Sequence, residues 1–264
     1  MITDFPAALA ALKAGEVDFM PRLLPVQYAQ QTSGPVFDQR FAKAKYSIPG
    51  YLFIGWNEQR LFFQDKRVRQ ALTMLVDRQQ LIDKVRFGLG RIGVSPISVG
   101  SRDFNPDIGP WPYDPQRAAE LLDEAGWKDR DGDGVRDKDG TKFKFEFLGG
   151  IGGTLLPQLL PVLREQLQKV GIEMTERLIE FNVMQENLKD HRFDAFAQGW
   201  TLDLYEDPYQ IWHSSSASNR GSNFISFKNA ELPQRLWLEF RGIFSWFFVP
   251  RHHQDTPRRN RLTR

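Results

Sequence analysis

The 264-residue chain has no cysteine. This excludes disulfides, thiolate metal ligands and a thiol nucleophile, and it fits an exported protein. Long apolar runs are missing too, since no stretch approaches the ~20 residues that a membrane-spanning helix needs. The opening Met1-Ile2-Thr3-Asp4-Phe5-Pro6 lacks the basic start and extended apolar core of a secretory signal, so the chain alone reads as soluble and cytoplasmic. A basic body is absent as well. The formal net charge is +2, but the segment from Pro233 onward holds seven Arg and two acids and accounts for +5, which leaves −3 on the rest. Nothing therefore argues for a nucleic-acid surface.

What is present reads as an alternating α/β chain. Asp4 caps a helix with Pro6 in its first turn and Gly15 as its stop, and Val17–Met20 reads as a short strand. Tyr51–Trp56 is a continuous apolar run, as in a buried strand. Asp65 caps the next helix, where Val68, Leu72, Leu75 and Val76 form the apolar stripe and Lys66, Arg67, Arg69 and Gln70 face outward. Asp77 and Gln80 make a capping pair for a second helix, and residues 88–112 read as a long loop able to wrap over a ligand cleft.

Asp114-Pro115 starts a helix that Gly126 closes. Phe143, Phe145 and Phe147 alternate with Lys144 and Glu146, as in a half-buried strand. The Gly149–Gly153 turn leads into a helix from about 155 to 170. A strand through Ile172, Met174 and Leu178 follows, and then a short helix capped by Asn182. The next stretch, Phe193 to Pro208, organises the rest. Phe193, Ala195 and Ala197 share one face of a strand and Asp194, Phe196 and Gln198 the other, with Gly199 expected to end the pattern. Strand, helix, strand, helix, strand implies parallel pairing with right-handed crossovers. Ligands of such sheets sit beyond the strands' carboxyl ends, where Trp200, Asp203, Tyr205, Glu206 and Asp207 crowd together. An aromatic and a carboxylate there suit a ligand that is part apolar and part cationic; a plain turn with Trp200 in the core is the other reading.

Other constellations are weaker. Asp129, Asp131, Asp133, Gly134 and Asp137 match a calcium loop at positions one, three, five, six and nine, but the twelfth is Gly140 instead of the bidentate Glu; a solvated turn is the alternative. His191, His213, His252 and His253 have no ligand-like spacing, so no metal and no cofactor is expected. Ser214-Ser215-Ser216 beside His213 lacks the strand–elbow–helix setting that activates a serine. The acidic residues at 203–207 also admit a hydrolase reading.

Four ordered blocks resemble the family 5 extracellular solute-binding proteins, the peptide- and nickel-binding components of ABC importers. They are Phe63–Leu72 continuing to Asp77, Arg78 and Leu81; Tyr113-Asp-Pro with Ala118–Leu122 and Ala125-Gly-Trp127; Phe193-Asp-Ala to Gly199-Trp200, Asp203 and Asp207-Pro208; and Gly221-Ser-Asn223 before Phe227–Glu231. The resemblance implies an α/β, periplasmic-binding-protein-like fold (type II, cluster C). Residues 1–50 would be a remnant of lobe one, 51–232 lobe two, and 233–264 an aberrant, Arg- and aromatic-rich tail foreign to the family pattern. It implies capture of peptides or similar small solutes for a membrane ABC permease, a periplasmic or cell-surface location and no enzymatic chemistry. Asp203 would accept hydrogen bonds from a peptide's α-ammonium, a buried charge that is tolerable only when paired. Trp200 would wall its first side chain, and backbone groups around Thr201 and Asn223 would complete its hydrogen bonds. The Gly149–Gly153 loop lacks the Arg and Tyr that clamp a ligand carboxylate in some dipeptide binders, so dipeptide specificity is not expected. The same resemblance makes the chain a truncated copy with half of the clamp.

Overall fold

The computed structural model describes residues 2–46, 49–97, 104–153, 155–202, 209–218 and 220–228, together with the backbone of 245–248. Helices run α1 (Phe5–Ala14), α2 (Pro35–Arg40), α3 (Lys66–Met74), α4 (Arg78–Arg86), α5 (Pro115–Glu124), α6 (Leu156–Lys169), α7 (Phe181–Lys189) and α8 (Tyr209–Trp212). Strands are β1 (Gly50–Trp56), β2 (Asp137–Lys138), β3 (Thr141–Lys142), β4 (Lys144–Gly150), β5 (Glu173–Ile179), β6 (Ala195–Thr201) and β7 (Ser245–Phe248). The main sheet has the order β5-β4-β6-β1-β7. β4 pairs in parallel with β5 and β6, as the βαβαβ reading requires, and β1 pairs antiparallel with both β6 and β7.

Local chemistry sets the helix starts. The side chains of Asp4, Asp65, Asp77 and Asp114 accept from the backbone N–H of Ala7, Arg67, Gln80 and Arg117, each satisfying a donor that the first helical turn leaves orphaned. Gly15 and Gly126, at φ 80° and 89°, take the left-handed turn that ends a helix. α7 is capped by Glu180 rather than by Asn182: the Glu180 carboxylate accepts from the N–H groups of Asn182 and Val183, and Asn182 lies inside the helix.

Two cores flank the sheet. On one face Trp56, Phe63, Trp127, Phe143, Phe145 and Phe147 pack with the apolar stripes of α3, α5 and α6. The Trp127 and Phe143 rings lie 4.5 Å apart, and Phe62 stacks on Phe143 at 5.2 Å. On the other face Phe53, Phe193, Phe196, Phe224 and Trp212 pack with α7. β6 is thus buried on both sides, with Ala195 and Phe196 fully covered.

Several expectations change. Val17–Met20 forms no strand; it has no sheet edge to pair with, and Phe19 is 78% exposed. Arg69 does not face outward. It is buried, donating to the carbonyls of Phe63 and Gln64 from the α3 side of the core. Gly199 does not end β6, which continues through Trp200 to Thr201. The glycine instead makes room for β1, since a Cβ there would lie 2.7 Å from Leu52 Cδ2. The tail's apolar run contributes a strand: the backbone of Ser245–Phe248 pairs with Leu52–Ile54 of β1. The rest of the tail lies outside the described residues.

The β1–β6 register leaves no slack at Gly55. This residue pairs with Phe196, and a Cβ on it would sit 2.3 Å from the Phe196 ring and 3.0 Å from Ile225 Cγ2. Gly55→Ala is expected to destabilise the fold by about 1–3 kcal/mol. In a thermal melt this should lower the Tm by several degrees. An unchanged Tm would show that β1 and β6 do not approach this closely.

Candidate functional site

The strand order reverses direction at β4. The chain leaves β4 for β5 on one side and returns over it to β6 on the other, so the carboxyl ends of β4 and β6 bound the position where ligands of open α/β sheets lie. Gly149-Gly150 ends β4, and Trp200-Thr201 ends β6. Trp200 is half-buried and Thr201 exposed. The Trp200 indole stacks on Phe224, with centroids 6.3 Å apart and planes inclined by 18°. Its buried Nε1–H has no acceptor among the described residues, although such a group ordinarily finds one. Around it lies a shallow, mainly apolar crevice of about 190 Å³ including its open mouth, lined by Phe53, Phe196, Trp200, Trp212, Ser222 and Phe224. Asp203, Glu206 and Asp207 lie outside the described residues.

Asn223 is placed differently from expectation. It is 1% exposed, and its Nδ2 donates to Phe227 O at 2.9 Å and His213 O at 3.2 Å, while its Oδ1 accepts from Phe227 N. Its backbone N–H donates to Ser216 O, and its own carbonyl accepts from Ser226 N. With these groups engaged inside the loop, Asn223 shapes the crevice wall from behind.

The 209–227 segment is fastened to the end of β1 by polar contacts between residues far apart in the chain, which no local pattern reveals. Glu58 N donates to Ile225 O, and Gln59 Nε2 donates to Ser226 Oγ at 2.6 Å. Beneath them, Asn57 is fully buried and donates to Phe193 O. Glu58 itself faces the buried Arg69 at 3.6 Å, too long for a hydrogen bond. Burial pushes the Glu58 carboxyl up to about 7, against the pull of the Arg69 charge. His213, with Ser214–Ser216, makes a turn cap and no nucleophile pair: its Nδ1 accepts from Ser215 N and contacts Ser215 Oγ at 2.8 Å, all of it exposed.

The acidic loop is occupied by the protein's own cation. Lys142 Nζ lies 2.6 Å from Asp131 and 2.8 Å from Asp133, and that hydrogen bond holds the Asp131 carboxyl below its ordinary value. The Asp129 carboxylate accepts from the N–H groups of Gly132 and Gly134. Asp129, Asp131 and Asp137 do converge within 4.8 Å, yet an ammonium and turn amides already serve them.

A helix-flanked, mixed α/β sheet with an aromatic crevice at its strand ends is a periplasmic-binding-protein-like fold. The sequence comparisons agree. Residues 1–223 match the model of the bacterial extracellular solute-binding proteins, family 5, and the chain belongs to that family. It is 36% identical over 235 residues to the oligopeptide-binding protein AppA of Bacillus subtilis, covering 88% of this chain and 42% of that protein. The solved structure of Bacillus subtilis AppA with a nonapeptide superposes with a TM-score of 0.80 at 30% identity, over 95% of this chain and 53% of that one. NikA from Brucella suis, solved with Fe(III)-EDTA, shares the fold at a TM-score of 0.74 and 19% identity, over 94% of this chain and 55% of that one. The chain thus spans about half the length of the relatives it matches. Among the described residues, no helix is long and apolar enough to cross a membrane.

Two outcomes follow from these electrostatics. The folded-state value of Glu58 lies above its ordinary 4.5, so its contribution to stability is complete below that pH and is lost as pH rises through about 7. Glu58→Gln should flatten the pH dependence of denaturant stability between those limits; a variant that tracks the parent would show the carboxyl to be solvated. Millimolar calcium should leave the parent's Tm unchanged, because Lys142 already neutralises the loop, and a clear rise would overturn that assignment.

Proposed function

We propose that this chain is the ligand-capturing part of an ABC importer's solute receptor, and that its solute is a peptide. The observation that carries this reading is the aromatic crevice at the carboxyl end of β6, where Trp200 presents a half-buried ring and an N–H with no acceptor among the described residues. The AppA relatives support the choice of peptide, since one is named for oligopeptide binding and was solved with a nonapeptide. In this reading Trp200 is the wall for the ligand's first side chain and Asp203 the acceptor for its α-ammonium. Thr201 supplies backbone hydrogen bonds, and Asn223 supports the wall.

Residues 51–232 form the binding lobe and 1–50 belong to the other. The closed receptor would dock on a permease in the membrane, from the periplasm or cell surface. Capture without chemistry is assigned, as in the family's other solute-binding members. A lobe assayed by itself encloses and desolvates less of a ligand than a two-lobed clamp, so its affinity should be low.

Isothermal titration with a short peptide and with its N-acetylated form tests this. Acetylation and Asp203→Asn should each weaken binding about 10- to 100-fold, as expected for loss of a charged hydrogen bond. Trp200→Ala should weaken it for both peptides alike. Equal affinity for free and acetylated peptide would remove Asp203 from its role, and hydrolysis of either peptide would replace capture with catalysis.

A further inference from the structure

His191 ends α7 in the left-handed conformation, at φ 53°, which histidine adopts more readily than most residues. Its ring reaches across to the 209–227 segment and faces a backbone carbonyl at each nitrogen: Nδ1 is 2.7 Å from Phe224 O, and Nε2 is 3.0 Å from Ala217 O. Carbonyls only accept. Both bonds therefore exist together only when both ring nitrogens carry hydrogen, which is the imidazolium form. Either neutral tautomer leaves one carbonyl facing a nitrogen lone pair. A third group offers the neutral ring an alternative, because Ser226 Oγ lies 3.1 Å from Nδ1 and is itself held by Gln59 Nε2. On loss of a proton, Nδ1 can turn from donor to Phe224 O into acceptor from the Ser226 hydroxyl.

We propose that His191 is a proton-operated latch. As imidazolium it clasps the 217–224 segment at both ends; as neutral imidazole it releases Phe224. The Phe224 ring stacks on Trp200 and lines the crevice, so the latch sets the wall position. His191 is a positioning residue that touches no ligand, and its effect on ligand rests on the reading of the Trp200 crevice as the peptide site.

The setting suits a cation that comes and goes. The carbonyl end of α7 favours positive charge. The charged groups facing the latch from each packed element are matched except Glu58, which burial pushes up to about 7, so a pH difference due to the latch must also survive Glu58→Gln. On α7, Glu186 and Asp190 are bonded to Arg220 of the loop, and Lys189 pairs with Glu186. Arg192 pairs with Asp190, Arg60 with Asp194, and Glu58 faces Arg69. Among the described residues none of these forms an ion pair with His191. The other titratable ring in the segment, His213, is turned toward Ser215.

Histidine titrates between about pH 5 and 8, so the test spans that range in the intact chain, without ligand. Imidazole nitrogen NMR should show both His191 nitrogens protonated at the acid limit and one at the alkaline limit. Amide hydrogen exchange in 217–227, corrected for intrinsic rates, should be about 5- to 10-fold slower in acid, the worth of one hydrogen bond. His191→Gln should abolish this difference, His213→Gln and Glu58→Gln should each leave it intact, and Ser226→Ala should enlarge it, since the neutral ring then has no donor to turn to. Protection that is independent of pH in the parent, or a difference that survives His191→Gln or disappears with His213→Gln or Glu58→Gln, would overturn the latch. Peptide affinity measured at both limits then tests the separate reading: a latch that moves while affinity stays constant would detach the crevice from the peptide site and leave the latch standing.

Discussion

The whole lobe depends on how closely β1 and β6 approach. Seven residue pairs join them, and near one end the Phe196 ring fills the space that any side chain on Gly55 would need. Gly199 gives way in the same manner to Leu52 three pairs further on, on the opposite face. These two vacancies admit Phe196 of β6 to one core and Leu52 of β1 to the other while the strands stay closely paired. They also carry the strand past Gly199, so that Trp200 and Thr201 sit at the sheet's margin. Interiors are packed to crystal density and tolerate little surplus volume. The crevice is therefore positioned by the packing beneath it.

The polar parts of the lobe serve that packing. Buried Asn57 and Asn223 donate to the backbone carbonyls of Phe193 and Phe227, which closes loops around the second core. Glu58 and Arg69 are the exception. Their charges sit close but imperfectly bonded, and burial costs each of them more than the other returns. Together with His191, this places titratable contacts under and across the loop that frames Trp200. A wall fastened by a few polar bonds moves more readily than one fastened by apolar packing.

Much of the scaffold was legible in the residues. The four Asp caps, the glycine stops and the alternation of Phe143, Phe145 and Phe147 act over three or four residues, so local order reveals them. The parallel β4-β5-β6 unit followed from the succession of elements. What local order does not show is which partner each polar group meets, near or far in sequence. Arg69 looks solvated until Glu58 and the carbonyls of Phe63 and Gln64 surround it. Asn182 resembles a cap until Glu180 proves to be in position. The acidic loop resembles a calcium site until Lys142, brought back by the β2–β3 hairpin, enters it. Trp200 was found because a strand end marks a ligand position whatever the sheet's neighbours are; His191 was missed because its partners lie more than twenty residues away.

The sequence alone determined where helices start and stop, which faces are apolar and which family motifs the chain carries, since each depends on short-range sterics, hydrogen bonding or residue order. These 264 residues also hold no cysteine and no apolar run long enough for a membrane-spanning helix. The tertiary structure decided the antiparallel addition of β1 and β7, the burial of Arg69 and Asn223, the placement of Lys142 in the acidic loop and that of His191 between two carbonyls. Those outcomes depend on which distant groups meet once water is expelled, and there a polar atom takes whichever partner the packed chain brings within reach.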